Sequence, residues 1–278
     1  MVANPVLMTV SELADLVEVG RPPVLLDVRW SLDDPNGEDR YHEGHIPGAV
    51  YVDLETELAD PGSPERGRHP LPDVVRLQDH VRRWGIDDGD TVAVYDDTGG
   101  LAAARAWWLL RWAGLRDVRL LDGGLSLWTA AGHGLAAGPG EAVKPGSVTL
   151  RGGRMPTVGI DEAAEFPSRG TLLDARAAAR YRGDEEPVDP RAGHIPGAVS
   201  APATDNLRED GTFRTAGELA DRFATVCGGG PVAVYCGSGV TATHQIAALA
   251  LAGIDAALFP GSWSQWCRDP AREIATGA

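Results

Sequence analysis

The chain has 278 residues, 43% of them hydrophobic and 23% charged, with a formal net charge of −15. That is length enough for two ordinary domains, each with its own core, and the acidic balance argues against nucleic acid or an anionic membrane as partner, since both need Lys/Arg patches. No apolar run approaches the ~20 residues of a membrane span, and the opening MVANPVLMTVSELADL has no basic segment ahead of an apolar core, so no secretory signal and a cytoplasmic place are expected.

The pattern predicts a first helix over about Ser11–Val19, with Thr9 and Glu12 spaced as a capping box. An apolar strand follows at Pro23–Val28, then a GHIPGA turn and a short strand at Ala49–Val52. A helix over about Val75–Trp84 stops at Gly85, a strand runs over Thr91–Tyr95, a helix over Ala102–Trp112 stops at Gly114, and a strand lies near Val118–Leu121. The stretch His133–Gly153 is rich in Gly, Ala and Pro without a period and reads as a linker. The series then repeats: strand Leu172–Asp174, capping pair Thr215 and Glu218, strand Pro231–Tyr235, helix Thr241–Leu251 stopped at Gly253, strand Ala256–Phe259. Strands alternating with helices predict an α/β fold, each module a mostly parallel sheet flanked by helices.

The repetition is also visible residue by residue. GHIPGAV stands at Gly44–Val50 and again at Gly193–Val199; LLDVR at Leu25–Arg29 matches LLDAR at Leu172–Arg176; VAVY recurs at Val92–Tyr95 and Val232–Tyr235. Two homologous modules are therefore expected, over 1–135 and 154–278, joined by a linker over 136–153. Their difference carries the chemistry. After VAVY the first module continues with Asp96, whereas the second continues with Cys236 in the loop C-G-S-G-V-T-A. Reactive groups in open α/β sheets sit at the carboxyl ends of strands. A small-residue loop there can turn its amides inward as an anion nest, and the helix that follows adds a positive end; both favour a reactive thiolate.

Only three cysteines are present, Cys227, Cys236 and Cys267, and the absence of C-x-x-C argues against a disulfide framework or a zinc site. Neither Cys227 nor Cys267 lies in an activating loop, so both read as small hydrophobes. Asp96 and Asp97 have no His at ligand spacing, and neither a G-x-G-x-x-G nor a Walker loop occurs; neither a metal nor a cofactor is expected. His45 and His194 recur in both GHIPGA copies, including the one without the loop Cys, and so read as structural. A Cys-dependent phosphatase would need an Arg closing the loop as C-x5-R, where this chain has Ala242.

The C-G-S-G-V-T-A loop, the twin GHIPGA motifs and the late segment P-G-S-W-S-Q-W together resemble two-domain rhodanese-type sulfurtransferases, over essentially the whole chain. Within that family the small loop is similar to that of 3-mercaptopyruvate sulfurtransferases, whereas thiosulfate sulfurtransferases more often carry bulky basic residues where this chain has Gly237 and Ser238. The resemblance implies that Cys236 attacks a small anionic sulfur donor, 3-mercaptopyruvate or alternatively thiosulfate, and becomes a persulfide. Amides from Gly237, Gly239, Val240 and Thr241 would hold the bound sulfur. Cyanide, or a thiol acceptor such as thioredoxin or a low-molecular-weight thiol, would then remove it. It implies further a Ser–His–acid relay of Ser238, His69 and Glu55, with Asp53 as the neighbouring acid, and substrate arginines at Arg180 and Arg191, the latter because Val188 stands where the family has Arg after an E-P pair. A catalytically silent sulfur carrier would fit the first module alone.

Overall fold

The computed structural model of the chain describes residues 5–32 and 36–278. These form two compact units, one of 1–58, 72–154 and 208–213, the other of 59–71, 155–207 and 214–278. The units therefore do not follow chain order: a short segment of the first repeat, 59–71, packs with the second unit.

The first unit runs β1 (Leu7–Met8), α1 (Val10–Glu18), β2 (Val24–Asp27), α2 (Gly37–Glu43), β3 (Val50–Tyr51), α3 (Leu54–Glu57), α4 (Val74–Arg83), β4 (Val92–Tyr95), α5 (Ala103–Trp112), β5 (Val118–Leu121) and α6 (Gly124–Ala130). Its sheet is parallel throughout, in the order β1-β5-β4-β2-β3. All four residues of β4 are buried, as a central parallel strand covered on both faces requires. The capping box is formed: Glu12 N donates to Thr9 Oγ1 at 3.1 Å and Thr9 N to Glu12 at 2.7 Å. Trp107 and Trp108 of α5 are buried and Trp128 packs into the core beside Met8, Leu25 and Ala93.

The second unit repeats the plan with α7 (Ile160–Glu165), β6 (Thr171–Asp174), α8 (Ala178–Arg182), β7 (Val199–Ser200), α9 (Ala216–Val226), β8 (Val232–Tyr235), α10 (Thr241–Leu251), β9 (Ala256–Leu258) and α11 (Ser262–Trp266). Its parallel order, β7-β6-β8-β9, equals β3-β2-β4-β5 of the first. Even the register is kept: Asp27 stands opposite Tyr95, and Asp174 opposite Tyr235. The α/β fold of two repeated modules, each a parallel sheet flanked by helices, that the pattern predicts is the fold found.

The stretch between the modules is laid along the first unit. Gly138 N donates to His42 O, Gly146 N to Arg82 O, Arg151 N to Ala113 O and Arg154 N to Trp112 O, at 2.7 to 2.9 Å. At Gly146 the backbones approach closely: a Cβ there would lie 2.1 Å from Ile86 O. Among the described residues no helix is long and apolar enough to cross a membrane.

Candidate active site

Each unit builds the carboxyl end of its sheet from the same parts. Arg176 forks onto Asp174 and donates to Gly193 O at 2.7 Å; Arg29 does the same to Asp27 and Gly44 O. His194 stacks on Tyr181 with ring centroids 3.7 Å apart, and His45 stacks on Tyr41 at 3.8 Å. Each His also bonds the carbonyl of that Tyr through Nδ1. These interactions fix the GHIPGA turn in both units, so His45, His194, Arg29 and Arg176 serve the frame. Asp174 draws the buried Arg176 pKa upward against the cost of its own burial.

On this frame the two loops after β4 and β8 diverge. Asp96 is fully buried, and its carboxylate accepts four loop amides: Thr98 N and Gly100 N on one oxygen, Ala102 N and Ala103 N on the other, at 2.8 to 2.9 Å. Burial raises its pKa while those amides pull the other way. The first unit thus contains an anion nest filled by its own side chain. In the second unit the corresponding residue is Cys236, 2% exposed. Its Sγ accepts Gly239 N–H at 3.2 Å, its N–H donates to Ser262 Oγ at 3.1 Å, and its carbonyl accepts from Trp263 N at 3.0 Å. Gly239 has φ +79°, and a Cβ there would lie 2.5 Å from Pro260 O, so the turn requires glycine. Val240 leads into α10, whose first amides, beginning at Thr241, have no side-chain cap.

Ser238 and His69 meet. Ser238 Oγ lies 2.7 Å from His69 Nδ1, and both residues are buried. The contact is made within the second unit because 59–71 belongs to it. Ser63 and Gly67 close a turn by paired backbone bonds, Arg68 N donates to Ser264 Oγ at 3.1 Å, and Gln265 Nε2 donates to Glu65 O at 2.6 Å. Gly67, at φ +86°, lets this segment approach Gly261 closely.

Glu55 lies in the first unit, on α3, where its carboxylate accepts Trp30 Nε1 at 2.8 Å. Asp53 caps the same helix, accepting Thr56 N at 2.9 Å. The two acids are thus occupied locally by an indole and by a helix end.

The arginines divide differently from the expectation. Arg180 reaches the loop: its Nη1 lies 3.5 Å from where a Cβ on Gly237 would stand. It is held by Glu186 and faces Asp189 at 3.6 Å. Arg191, the other arginine expected at the substrate, is engaged by backbone carbonyls. Its guanidinium donates to the backbone carbonyls of Cys267, Trp266, Asp269 and Arg272, at 2.6 to 3.5 Å, and so ties the C-terminal segment down. Sequence reasoning missed Arg68, whose Nη2 lies 3.1 Å from the Gly237 Cβ position. Arg68 stands directly before His69 in the segment R-G-R-H-P-L-P.

The three cysteines are free. Burial raises the Cys227 pKa and lifts that of Cys267 to about 11. Among the described residues no group of three or more His, Cys, Asp or Glu could hold a metal ion.

The family model for the rhodanese-like domain matches the chain twice, over residues 9–131 and 160–269. SseB of Mycobacterium tuberculosis, which carries a provisional thiosulfate sulfurtransferase name, is 48% identical over 98% of this chain and 97% of its own length. A Pseudomonas aeruginosa protein with a provisional 3-mercaptopyruvate sulfurtransferase name is 47% identical over 98% of each. The crystal structure of SseA from Escherichia coli, described as that of a 3-mercaptopyruvate sulfotransferase, superposes with a TM-score of 0.77 at 32% identity, covering 93% of this chain and 98% of that one.

Proposed function

Because the chain belongs to the rhodanese-like family and is a sulfurtransferase, we propose that its sulfur donor is 3-mercaptopyruvate and that the sulfur travels on Cys236. The observation that carries this reading is the hydrogen bond between Ser238 and His69 beside the thiol loop.

The Cys236 thiolate attacks the sulfur of the donor. A sulfur–sulfur bond forms, the carbon–sulfur bond breaks, and its electron pair stays on carbon as the enolate of pyruvate. That carbanion needs a proton, and the Ser238 hydroxyl, backed by His69, is placed to deliver one. The second sulfur remains on Cys236 as a persulfide, whose negative charge suits the amides of Gly237, Gly239, Val240 and Thr241 and the positive end of α10. The filled nest around Asp96 in the first unit supports this: the corresponding loop there sets four amides on one carboxyl group. Cyanide then attacks the outer sulfur and leaves as thiocyanate, returning the Cys236 thiolate; a thiol such as thioredoxin or a low-molecular-weight thiol would act likewise, so the kinetics are ping-pong. Three free cysteines suit a reducing compartment, and the cytoplasm is the proposed site of action.

Thiosulfate is the second reading, favoured by the name of the Mycobacterium tuberculosis relative. Its leaving group, sulfite, departs as a stable anion and needs no proton. Steady-state sulfur transfer to cyanide from both donors, with wild type and Cys236→Ser, decides. A strong preference for mercaptopyruvate, lost in the variant, is expected; a preference for thiosulfate would overturn the donor, and activity surviving in Cys236→Ser would overturn the nucleophile.

A further inference from the structure

We propose that Arg68 is the second substrate arginine, working with Arg180 to grip the carboxylate end of the donor. The proposal rests on the reading of Cys236 as the acceptor of an anionic sulfur donor.

An α-keto acid with a carboxylate and a carbonyl is best held by two guanidiniums, each offering a planar fork. Arg180 supplies one. Arg191 is bound to four carbonyls of its own backbone surroundings. Arg68 meets the requirement from a different part of the chain. Its Nη2 and Arg180 Nη1 lie 3.1 and 3.5 Å from the Cβ position of Gly237, the residue next to Cys236. Two cations therefore converge on the space beside Gly237, next to the nucleophile.

Like charges so close need a counterion, and Asp189 is placed as one. Its side chain is wholly buried; one oxygen is paired with Arg68 Nη1 and the other, without a hydrogen bond of its own, faces Arg180 Nη2 at 3.6 Å. With Nη1 committed, Arg68 presents Nη2 to the loop, while Arg180 keeps Nη1 on the same side. Arg68 is also fixed along its backbone, because Arg68 N is bonded to Ser264 and Gly67 is pressed against Gly261. Asp189 is therefore a positioning residue, and Arg68 a binding residue.

Gly237 is part of the device. A Cβ there would press on the Arg68 guanidinium at 3.1 Å and touch that of Arg180 at 3.5 Å. A loop carrying bulky basic residues supplies its cations from within; this loop is small, and its cations come from outside it.

The test uses the full chain with Arg68→Ala, Arg68→Lys and Arg191→Ala. A lost charge-assisted contact predicts a KM for mercaptopyruvate raised about 10- to 100-fold in Arg68→Ala, with kcat changed far less. Arg68→Lys should recover part of the loss. Arg191→Ala should leave KM within about threefold when the protein is folded. Pyruvate binding to Cys236→Ser, measured calorimetrically with and without Arg68→Ala, gives a readout independent of turnover, and should weaken by the same factor. An unchanged KM and unchanged pyruvate affinity in Arg68→Ala would overturn the proposal. So would a KM defect confined to Arg191→Ala. If wild type prefers thiosulfate, the donor reading fails on its own, and Arg68 is then judged by the KM for thiosulfate. Should Arg68→Ala not fold, Arg68→Lys and Arg68→Met are read in the same way.

Discussion

Ser238 Oγ and His69 Nδ1 lie 2.7 Å apart although the two residues are 169 positions apart in the chain. The pair sits beside Cys236, and in the proposed relay it would serve only a reaction that needs a proton. Breaking the carbon–sulfur bond of mercaptopyruvate does; breaking the sulfur–sulfur bond of thiosulfate does not. Ser238→Ala and His69→Gln should therefore lower kcat for mercaptopyruvate by about 10²-fold or more, as loss of a general acid does. Turnover of thiosulfate should stay within about threefold. Measuring both donors on one preparation is the check, and an equal loss for both would mean that the pair shapes the loop instead of moving a proton.

Asp96 offers a stability prediction. Its buried carboxylate is the acceptor for four loop amides. Asp96→Ala leaves those donors without it, and each orphaned buried donor costs about 1–3 kcal/mol. Allowing for water entering the gap, a loss of about 3 kcal/mol or more is expected in urea unfolding at pH 7. A loss below about 1 kcal/mol would show that the loop refolds around the vacancy.

The fold was legible because each module repeats the same strands, caps and turns: Thr9 with Glu12, Gly85 and Gly114 after helices, and VAVY at the centre of both sheets. Cys236 was legible because its loop could be compared with that of Asp96. What remained hidden depends on side-chain direction in irregular chain. Nothing in the order of residues tells that Arg191 turns back onto the carbonyls of Cys267 and Asp269. Nor does it tell that 59–71 leaves its own repeat to bring Arg68 and His69 to the second unit. The path of the stretch between the modules is hidden for a related reason, since a Gly-rich stretch can mean either freedom or tight apposition, and Gly146 against Ile86 is the latter.

Cys267 gives a pH-dependent prediction. Its pKa is lifted by burial to about 11. Since only the thiolate reacts, iodoacetamide at pH 8 should leave Cys267 unmodified, with about a thousandth of it ionised. The sign for stability follows from the same shift. In the unfolded chain the thiol ionises near 9, so folding retains a proton the unfolded state has lost. The contribution is complete below pH 9 and fades as pH rises toward 11. Mass spectrometry of alkylated peptides across this range tests it; full labelling of Cys267 at pH 8 in the native protein would contradict the burial argument.

Ser262 couples backbone strain to the placement of the nucleophile. It is the one described residue other than glycine with positive φ, at +52°, and its Oγ accepts the Cys236 N–H at 3.1 Å while donating to Phe259 O at 2.9 Å. Two substitutions separate the effects. Ser262→Ala keeps the steric cost of a left-handed residue and strands the buried Cys236 amide, so a loss of about 2 kcal/mol is expected. Ser262→Gly strands the same amide but removes the Cβ penalty, worth about 1 kcal/mol, and should therefore be the more stable of the pair. Both should lower the rate of persulfide formation on Cys236 to a similar extent, since both remove the bond that fixes its backbone. Thermal unfolding and single-turnover sulfur transfer, measured side by side, check the two halves. If Ser262→Gly proved the less stable variant, the strain at this position would not be what the hydroxyl offsets.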